Sequence, residues 1–198
     1  DKEVSWLRQI AQREGLATTA VGFALPKANP VSAEASVRRA AIAHLARLCE
    51  QAQALGAQLI TGPMHSAYGV WSEQPPTADE HMWCQEVLHA AGEHAAVCGV
   101  RLAIEPLNRF ESYFLNTAAD CNQLVRAIGH ANVVAALDTH HAHIEECDVA
   151  GAIRGSAGVL GHVQLSENHR GTPGSGQVRF DEVFAALEEI SYSGWLVV

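Results

Sequence analysis

Arg101-Leu-Ala-Ile-Glu-Pro-Leu-Asn-Arg-Phe-Glu111 decides the fold of this chain, because an apolar run leads directly into a cluster of ionisable groups. Residues 102–104 predict a strand that is buried on both faces, as in a parallel sheet. Glu105 follows where the strand should end, and Pro106 stops the ladder of hydrogen bonds. A carboxylate buried there requires a cation or a proton. The structural alternative is an ion pair between Glu105 and Arg109 at the strand end.

Segments with strand and helix patterns alternate along the rest of the chain. Such alternation with short linkers predicts a parallel sheet built from right-handed strand–helix–strand units. The predicted strands cover residues 16–25, 58–61, 102–104, 133–137, 159–165 and 194–198, and the predicted helices cover residues 1–13, 32–56, 77–99, 116–129, 149–153 and 180–187.

Polar groups at the carboxyl ends of successive strands favour a barrel over an open doubly wound sheet. They are His65, Glu105, Asp138 and Gln164. In a strand–helix barrel every strand end points at one centre, where active sites lie, whereas an open sheet gathers its ligands at one switch point. The fold class predicted is therefore α/β, a (β/α)8 TIM barrel. Because such a barrel needs eight strands and about 250 residues, we expect residues 1–198 to be a single incomplete TIM-barrel domain that lacks the first two strands and the last helix.

The composition excludes several classes of function. The formal net charge of −9 disfavours binding to nucleic acid, which needs a basic surface. No apolar run approaches the roughly 20 residues of a membrane span, and no signal peptide opens the chain. The five cysteines are dispersed without a Cys-x-x-Cys pair, which is typical of reduced thiols in a cytoplasmic protein.

Glu105, Asp138 and Gln164 occupy matching places on three successive predicted strands. Two carboxylates and an amide oxygen form a donor set that suits Mn²⁺, Mg²⁺ or a similar divalent ion. The structural alternative is that Asp138 caps the following turn and that Gln164 bonds to the backbone.

Other ionisable residues follow the same strands. Arg170 suits a hydroxyl or phosphate oxygen of a substrate, and Glu167 adds to the same rim. His162 is expected to be a structural histidine with its hydrogen bonds satisfied, or a partner of a ligand, rather than a ligand itself. Trp71 could cover a sugar ring or could simply pack. The histidines predicted to face solvent from helices are His44, His81, His89 and His94.

Three motifs together resemble the xylose isomerase-like barrels, and most of all the ketose 3-epimerases, the D-tagatose and D-psicose 3-epimerase family. They are Glu105-Pro-Leu-Asn-Arg-Phe-Glu111, Asp138-Thr-His-His141 with Ile144-Glu-Glu, and His162-Val-Gln-Leu-Ser-Glu-Asn-His-Arg170 with Pro173-Gly-x-Gly176. The resemblance extends over essentially the whole chain.

The resemblance implies a metal-dependent sugar epimerase that acts at carbon 3 through a metal-stabilised cis-enediolate. It implies a divalent metal, Mn²⁺ first and Mg²⁺ or Co²⁺ as alternatives, held by Glu105, Asp138, Gln164 and a glutamate on the last strand. Glu105 would also be the catalytic acid/base. The residues that match contacts to substrate oxygens are Glu111, His141 and Arg170. The partners implied are a small sugar and further copies of the chain, in a dimer or tetramer.

Two departures from the family pattern keep alternatives open. Position 164 is Gln where these 3-epimerases carry His, and related hydroxypyruvate isomerases use Gln there. The chain ends at Val198, where the last strand would present its glutamate, so we expect the activity to belong to a longer parent protein. The alternatives are a hydroxypyruvate isomerase, an inosose dehydratase, an endonuclease of the same superfamily, or a sugar-binding barrel without catalysis.

Overall fold

Six parallel strands form one sheet in the computed structural model, which describes residues 2–198. The strands lie side by side in the order in which they occur along the chain. They are β1 (Ala20–Val21), β2 (Leu59–Gly62), β3 (Arg101–Ile104), β4 (Val133–Asp138), β5 (Leu160–Gln164) and β6 (Trp195–Val197). Sequential parallel order is the topology of a strand–helix barrel. The predicted fold class is therefore confirmed, with six strands forming part of a (β/α)8 barrel.

Helices connect the strands and cover the outer face of the sheet. They are α1 (Lys2–Arg13), α2 (Ala35–Leu55), α3 (Ala78–Cys98), α4 (Ala118–Ile128), α5 (Thr139–Glu145), α6 (Val149–Gly155) and α7 (Phe180–Glu189). Within residues 2–198, none of them is long and apolar enough to cross a membrane.

Alternate residues of each strand pack on opposite sides of the sheet. Leu102 and Ile104 of β3 belong to a large apolar cluster shared with α2, α3 and α4. Ala103 between them belongs to a separate small cluster with Val134 and Ala136 of β4, against which Trp195 packs. Since side chains alternate across a strand, the first cluster lies under the helices and the second fills the inside of the barrel. Glu105 continues the inward series two residues after Ala103.

The structure differs from the sequence prediction near the first strand. The predicted strand 16–25 is reduced to the two residues of β1, although the Gly22 N–H still donates to the Thr61 carbonyl at 2.8 Å. The backbone of Gly22 lies directly against Gly62, where a β-carbon would strike the Gly22 carbonyl oxygen. The regular strand ends at this close approach.

Two helix starts also differ from the prediction. The predicted start of the second helix at residue 32 is wrong: α2 begins at Ala35, and the Ser32 hydroxyl instead accepts a hydrogen bond from the Glu34 N–H. The short helix α5 follows β4 without a linker and was not predicted, because Asp138 serves as the last residue of the strand and as the cap of the helix.

Replacing Thr77 with Ala should lower the free energy of unfolding by about 1 kcal/mol, since Thr77 caps α3. Its hydroxyl accepts a hydrogen bond from the Glu80 N–H, and the Glu80 carboxylate accepts one from the Thr77 N–H at 2.7 Å. This reciprocal pair is a capping box, at the start of the predicted helix 77–99. Urea unfolding of both proteins measures the difference, and an unchanged midpoint would show that the cap contributes nothing to stability.

Candidate active site

The carboxyl ends of β3, β4 and β5 bring the three predicted metal ligands together. Asp138 and Gln164 are register partners on neighbouring strands. The Gln164 Nε2 donates to Glu105 Oε1 at 2.8 Å, so the side chain from β5 reaches across to the end of β3. The sheet topology thus places Glu105, Asp138 and Gln164 in one cluster, as the sequence predicted.

Glu105 is buried, with 6% of its surface exposed. Burial is the main cause that raises its pKa, to about 8, and the negative charge of Asp138 raises it further, against the Gln164 hydrogen bond and the charge of Arg170. The proposed ion pair with Arg109 is wrong, because Arg109 pairs with Glu145 at 2.8 Å instead. Glu105 therefore lacks a cation of its own and can hold or release a proton near neutral pH.

Asp138 has one carboxylate oxygen for the helix and one for the site. Its Oδ1 accepts a hydrogen bond from the His140 N–H at 2.8 Å and caps α5. Its Oδ2 accepts one from Arg170 Nη1 at 2.7 Å. The capping role that the sequence offered as an alternative is real, but it leaves the second oxygen facing the Glu105 cluster.

His141 stands between the two carboxylates. Its Nε2 lies 3.9 Å from Glu105 Oε1 and 3.9 Å from Asp138 Oδ2. Its Nδ1 accepts the Asn108 backbone N–H at 3.1 Å, which fixes the orientation of the ring. Burial lowers the pKa of His141. A neutral ring whose Nε2 faces the two carboxylates suits contact with a substrate hydroxyl or carbonyl oxygen.

Asn108 connects His141 to Glu111. Its side-chain amide donates to Glu111 Oε1 at 2.9 Å and lies 2.8 Å from His141 Nδ1. Tyr68 approaches the other Glu111 oxygen at 3.4 Å. Neither Asn108 nor Tyr68 was predicted to take part in the site; the signal available for Asn108 was its position three residues before Glu111 in the stretch 101–111.

Arg170 completes the cluster from the loop after β5. Besides its bond to Asp138, its Nη2 lies 3.2 Å from His141 Nε2. All six predicted site residues therefore lie at one end of the sheet, with Glu111 joined to the others through Asn108.

The donor set fits a divalent metal. Ligand atoms of Glu105, Asp138 and His141 lie within 4.8 Å of one another, and the amide of Gln164 touches Glu105. The pKa of Glu105 is raised because its carboxylate is buried beside the negative charge of Asp138, and a divalent ion would supply positive charge to both groups. Carboxylate and amide oxygens are the ligands that hard cations such as Mn²⁺ and Mg²⁺ prefer.

The whole chain, residues 1–198, matches the family described as xylose isomerase-like TIM barrel. The chain belongs to this family.

Relatives within the family are sugar 3-epimerases. The D-psicose 3-epimerase of Agrobacterium fabrum is 34% identical over 200 residues, which cover 100% of this chain and 69% of that protein. The L-ribulose 3-epimerase of Mesorhizobium japonicum is 39% identical over 139 residues, 70% of this chain and 46% of that protein. These relatives are isomerase-class enzymes, which confirms the resemblance and the enzyme class read from the sequence.

A solved structure extends the likeness to three dimensions. A crystal structure of D-psicose 3-epimerase in the presence of D-fructose superposes with a TM-score of 0.94 at 34% identity, over 99% of this chain and 68% of that one. Membership of the xylose isomerase-like family thus rests on sequence and fold together.

Other residues near this xylose isomerase-like site differ from their predicted roles. Glu167 does not face the rim but is fully buried beneath the following loop. His162 faces the barrel interior with 1% exposure, and neither ring nitrogen has a hydrogen-bond partner within residues 2–198. Burial lowers its pKa to about 4, so the ring is neutral at physiological pH.

Of the four helix histidines predicted to face solvent, two do so. His89 and His94 are exposed, whereas His44 and His81 are half-buried. His44 contacts the Phe23 carbonyl oxygen at 2.9 Å, and the ring of His81 lies 4.8 Å from that of Phe114. Trp71 is exposed, at 52%.

Proposed function

We propose that this chain carries the site of a metal-dependent ketose 3-epimerase, which inverts carbon 3 of a small keto-sugar. The observation that carries the proposal is the buried Glu105, which lies beside Asp138 and Gln164 with a pKa near 8. An acid/base that exchanges a proton with carbon needs a pKa close to the working pH. The named relatives support the reaction class. Because the chain spans about two thirds of the first relative and less than half of the second, the activity is proposed for the full-length protein.

Each site residue has a role in this proposal. Glu105 removes or returns the proton at carbon 3 from one face of the sugar. His141 and Arg170 donate hydrogen bonds to substrate oxygens, and both already point into the same space. Glu111, held by Asn108, accepts a hydrogen bond from a sugar hydroxyl.

Glu105, Asp138 and Gln164 would hold the divalent metal, with Mn²⁺ proposed first and Mg²⁺ or Co²⁺ as alternatives. When bound, the metal would draw electron density from the substrate carbonyl and stabilise the negative charge that develops after proton loss. The family resemblance adds a glutamate on the last strand as fourth ligand and second acid/base. The register supports that position, since Gln164 pairs with Val197 near the end of β6.

A hydroxypyruvate isomerase or inosose dehydratase of the same barrel is the second candidate. The observation that favours it is the amide at position 164, which contacts Glu105 where the ketose 3-epimerases have an imidazole.

We further propose that the protein is cytoplasmic and forms a dimer or tetramer.

Proton exchange at carbon 3 tests the reaction directly. The full-length protein is incubated with Mn²⁺ and a panel of ketoses in heavy water, and deuterium incorporation is followed by NMR, with a chelator as control. We expect metal-dependent exchange at carbon 3 together with the epimer. Exchange at carbon 1 with aldose formation would favour an aldose–ketose isomerase, and no exchange despite bound metal would favour the dehydratase or a binding protein.

Replacing Gln164 with Ala should weaken binding of Mn²⁺ by roughly 10- to 100-fold, because it removes one oxygen ligand and the hydrogen bond to Glu105. Isothermal titration with Mn²⁺ measures the change. Gln123→Ala, an exposed amide on α4, is the matched control and should bind as the wild type does. Equal affinity in both variants would mean that Gln164 only bonds to Glu105.

A further inference from the structure

Glu167 is the buried centre of the loop that carries Arg170. Its carboxylate accepts hydrogen bonds from the backbone N–H groups of Asn168 at 3.1 Å, Gly174 at 2.9 Å and Val178 at 3.3 Å. No part of the residue is exposed. Burial alone would raise its pKa, but the backbone hydrogen bonds outweigh burial and hold the pKa below its ordinary value. The side chain is therefore a charged anchor for residues 168–178.

The same residue fixes the start of the loop through its backbone. The Glu167 carbonyl accepts the Arg170 N–H at 3.0 Å, and the ring of His140 lies 3.2 Å from the same oxygen. Arg170 has a φ of 60°, a left-handed conformation that an arginine rarely adopts. Such a conformation persists only where the surroundings impose it.

The Glu167 side chain is closely packed against the backbone of Gly176. A β-carbon on Gly176 would collide with the Glu167 carboxylate and with the Asn168 side-chain oxygen. That Asn168 oxygen in turn accepts the Gln177 N–H at 3.0 Å. The loop is thus closed on Glu167 from both of its ends, and Arg170 lies on the segment between them.

From these contacts we propose that Glu167 is a positioning residue for Arg170: by binding the loop at its backbone N–H groups, it holds the guanidinium against Asp138 and His141. This inference rests on the proposed function only for the step in which Arg170 contacts the sugar. The geometry itself involves the Asp138 bond of 2.7 Å and the 3.2 Å approach to His141.

Glu167→Gln tests the proposal, because it keeps the size of the side chain but turns an amide N–H toward backbone donors. In the full-length protein we expect kcat/KM to fall about 100-fold, the loss that a shift of about 1 Å in a positioned group can cause. In an Arg170→Ala background, Glu167→Gln should lower kcat/KM by less than about twofold, because a residue that acts through Arg170 then has no guanidinium to position. Glu189→Gln, an exposed carboxylate paired with Arg154, is the matched control and should leave kcat/KM unchanged.

An equal fall in both backgrounds, or no fall in either, would overturn the positioning role. If Glu167→Gln fails to fold, Gly176→Ala displaces the carboxylate without removing its charge and should give the same dependence on Arg170.

A second readout does not need turnover. The Arg170 side-chain N–H signal, followed by ¹⁵N NMR, should be protected from exchange in the wild type and lost in Glu167→Gln, together with protection of the Gly174 amide. An unchanged Arg170 signal would overturn the proposal. If the wild type turns over no ketose while the Arg170 signal depends on Glu167, the proposed function fails and the positioning role stands.

Discussion

Glu105→Gln is expected to reduce turnover on the order of 10³-fold, within the range for losing a general acid/base, while leaving the fold intact. The amide has the volume of the carboxyl group but cannot exchange a proton with carbon, and it offers the metal no charge. The measurement is the steady-state rate of ketose epimerisation by the full-length protein with saturating Mn²⁺. Turnover close to the wild-type rate would show that Glu105 is not the base.

The same substitution should stabilise the protein when the metal is removed by a chelator. The pKa of Glu105 is raised from 4.5 to about 8 in the folded state. A carboxyl group with a raised pKa contributes stability that is fully present below pH 4.5 and is lost progressively as the pH rises to about 8. Glu105→Gln removes this loss, so above pH 8 the variant should be more stable by roughly a few kcal/mol.

Urea unfolding in chelator between pH 5 and about 9 follows this difference, since the linkage predicts a slope with pH in the wild type that is absent in the variant. Glu189→Gln serves as control, because that carboxylate is exposed in its pair with Arg154. Parallel pH profiles for the wild type and Glu105→Gln would mean that another group offsets the loss of stability expected when the metal-free Glu105 ionises. Above its raised pKa, the metal-free Glu105 carboxylate is thus expected to lower the stability of the fold.

The parts of the fold that the sequence predicted well depend on local patterns. The apolar run before Glu105 is buried on both faces, and the boundaries marked by Thr77 and Gly99 are those of α3. The parts that it predicted poorly depend on contacts between distant segments. The first strand ends where Gly22 and Gly62 meet backbone to backbone, a contact across 40 positions that periodicity cannot reveal.

The same distinction applies to the candidate site. Glu105, Asp138 and Gln164 were found because each ends a strand, and the ends of parallel strands converge. The predicted pairing of Arg109 with Glu105 was wrong, because Arg109 pairs with Glu145. That residue lies on a later helix, 36 positions away, and local sequence does not reveal the contact. Glu167 was placed at the rim because nothing in its local pattern shows that the loop up to Val178 folds back over its carboxylate.

Asp138→Asn is expected to weaken binding of Mn²⁺ at least about 100-fold while leaving α5 in place. The amide oxygen can still accept the His140 N–H that caps the helix. The substitution removes the negative charge of Asp138, whose Oδ2 lies 2.7 Å from Arg170 Nη1. A divalent ion at this position would require that charge. Isothermal titration with Mn²⁺ gives the affinity, and circular dichroism shows whether the helix content is retained.

Asp148→Asn is a closely matched control for this change. Asp148 also precedes a short helix, and its Oδ1 accepts the Gly151 N–H at 2.8 Å, the same distance as in the Asp138 cap. Within residues 2–198 its side chain forms no ion pair like the one between Asp138 and Arg170, so the control should bind Mn²⁺ as the wild type does. If Asp138→Asn also retained full affinity, Asp138 would be a helix cap alone, and Glu105 and Gln164 would have to hold the ion without it.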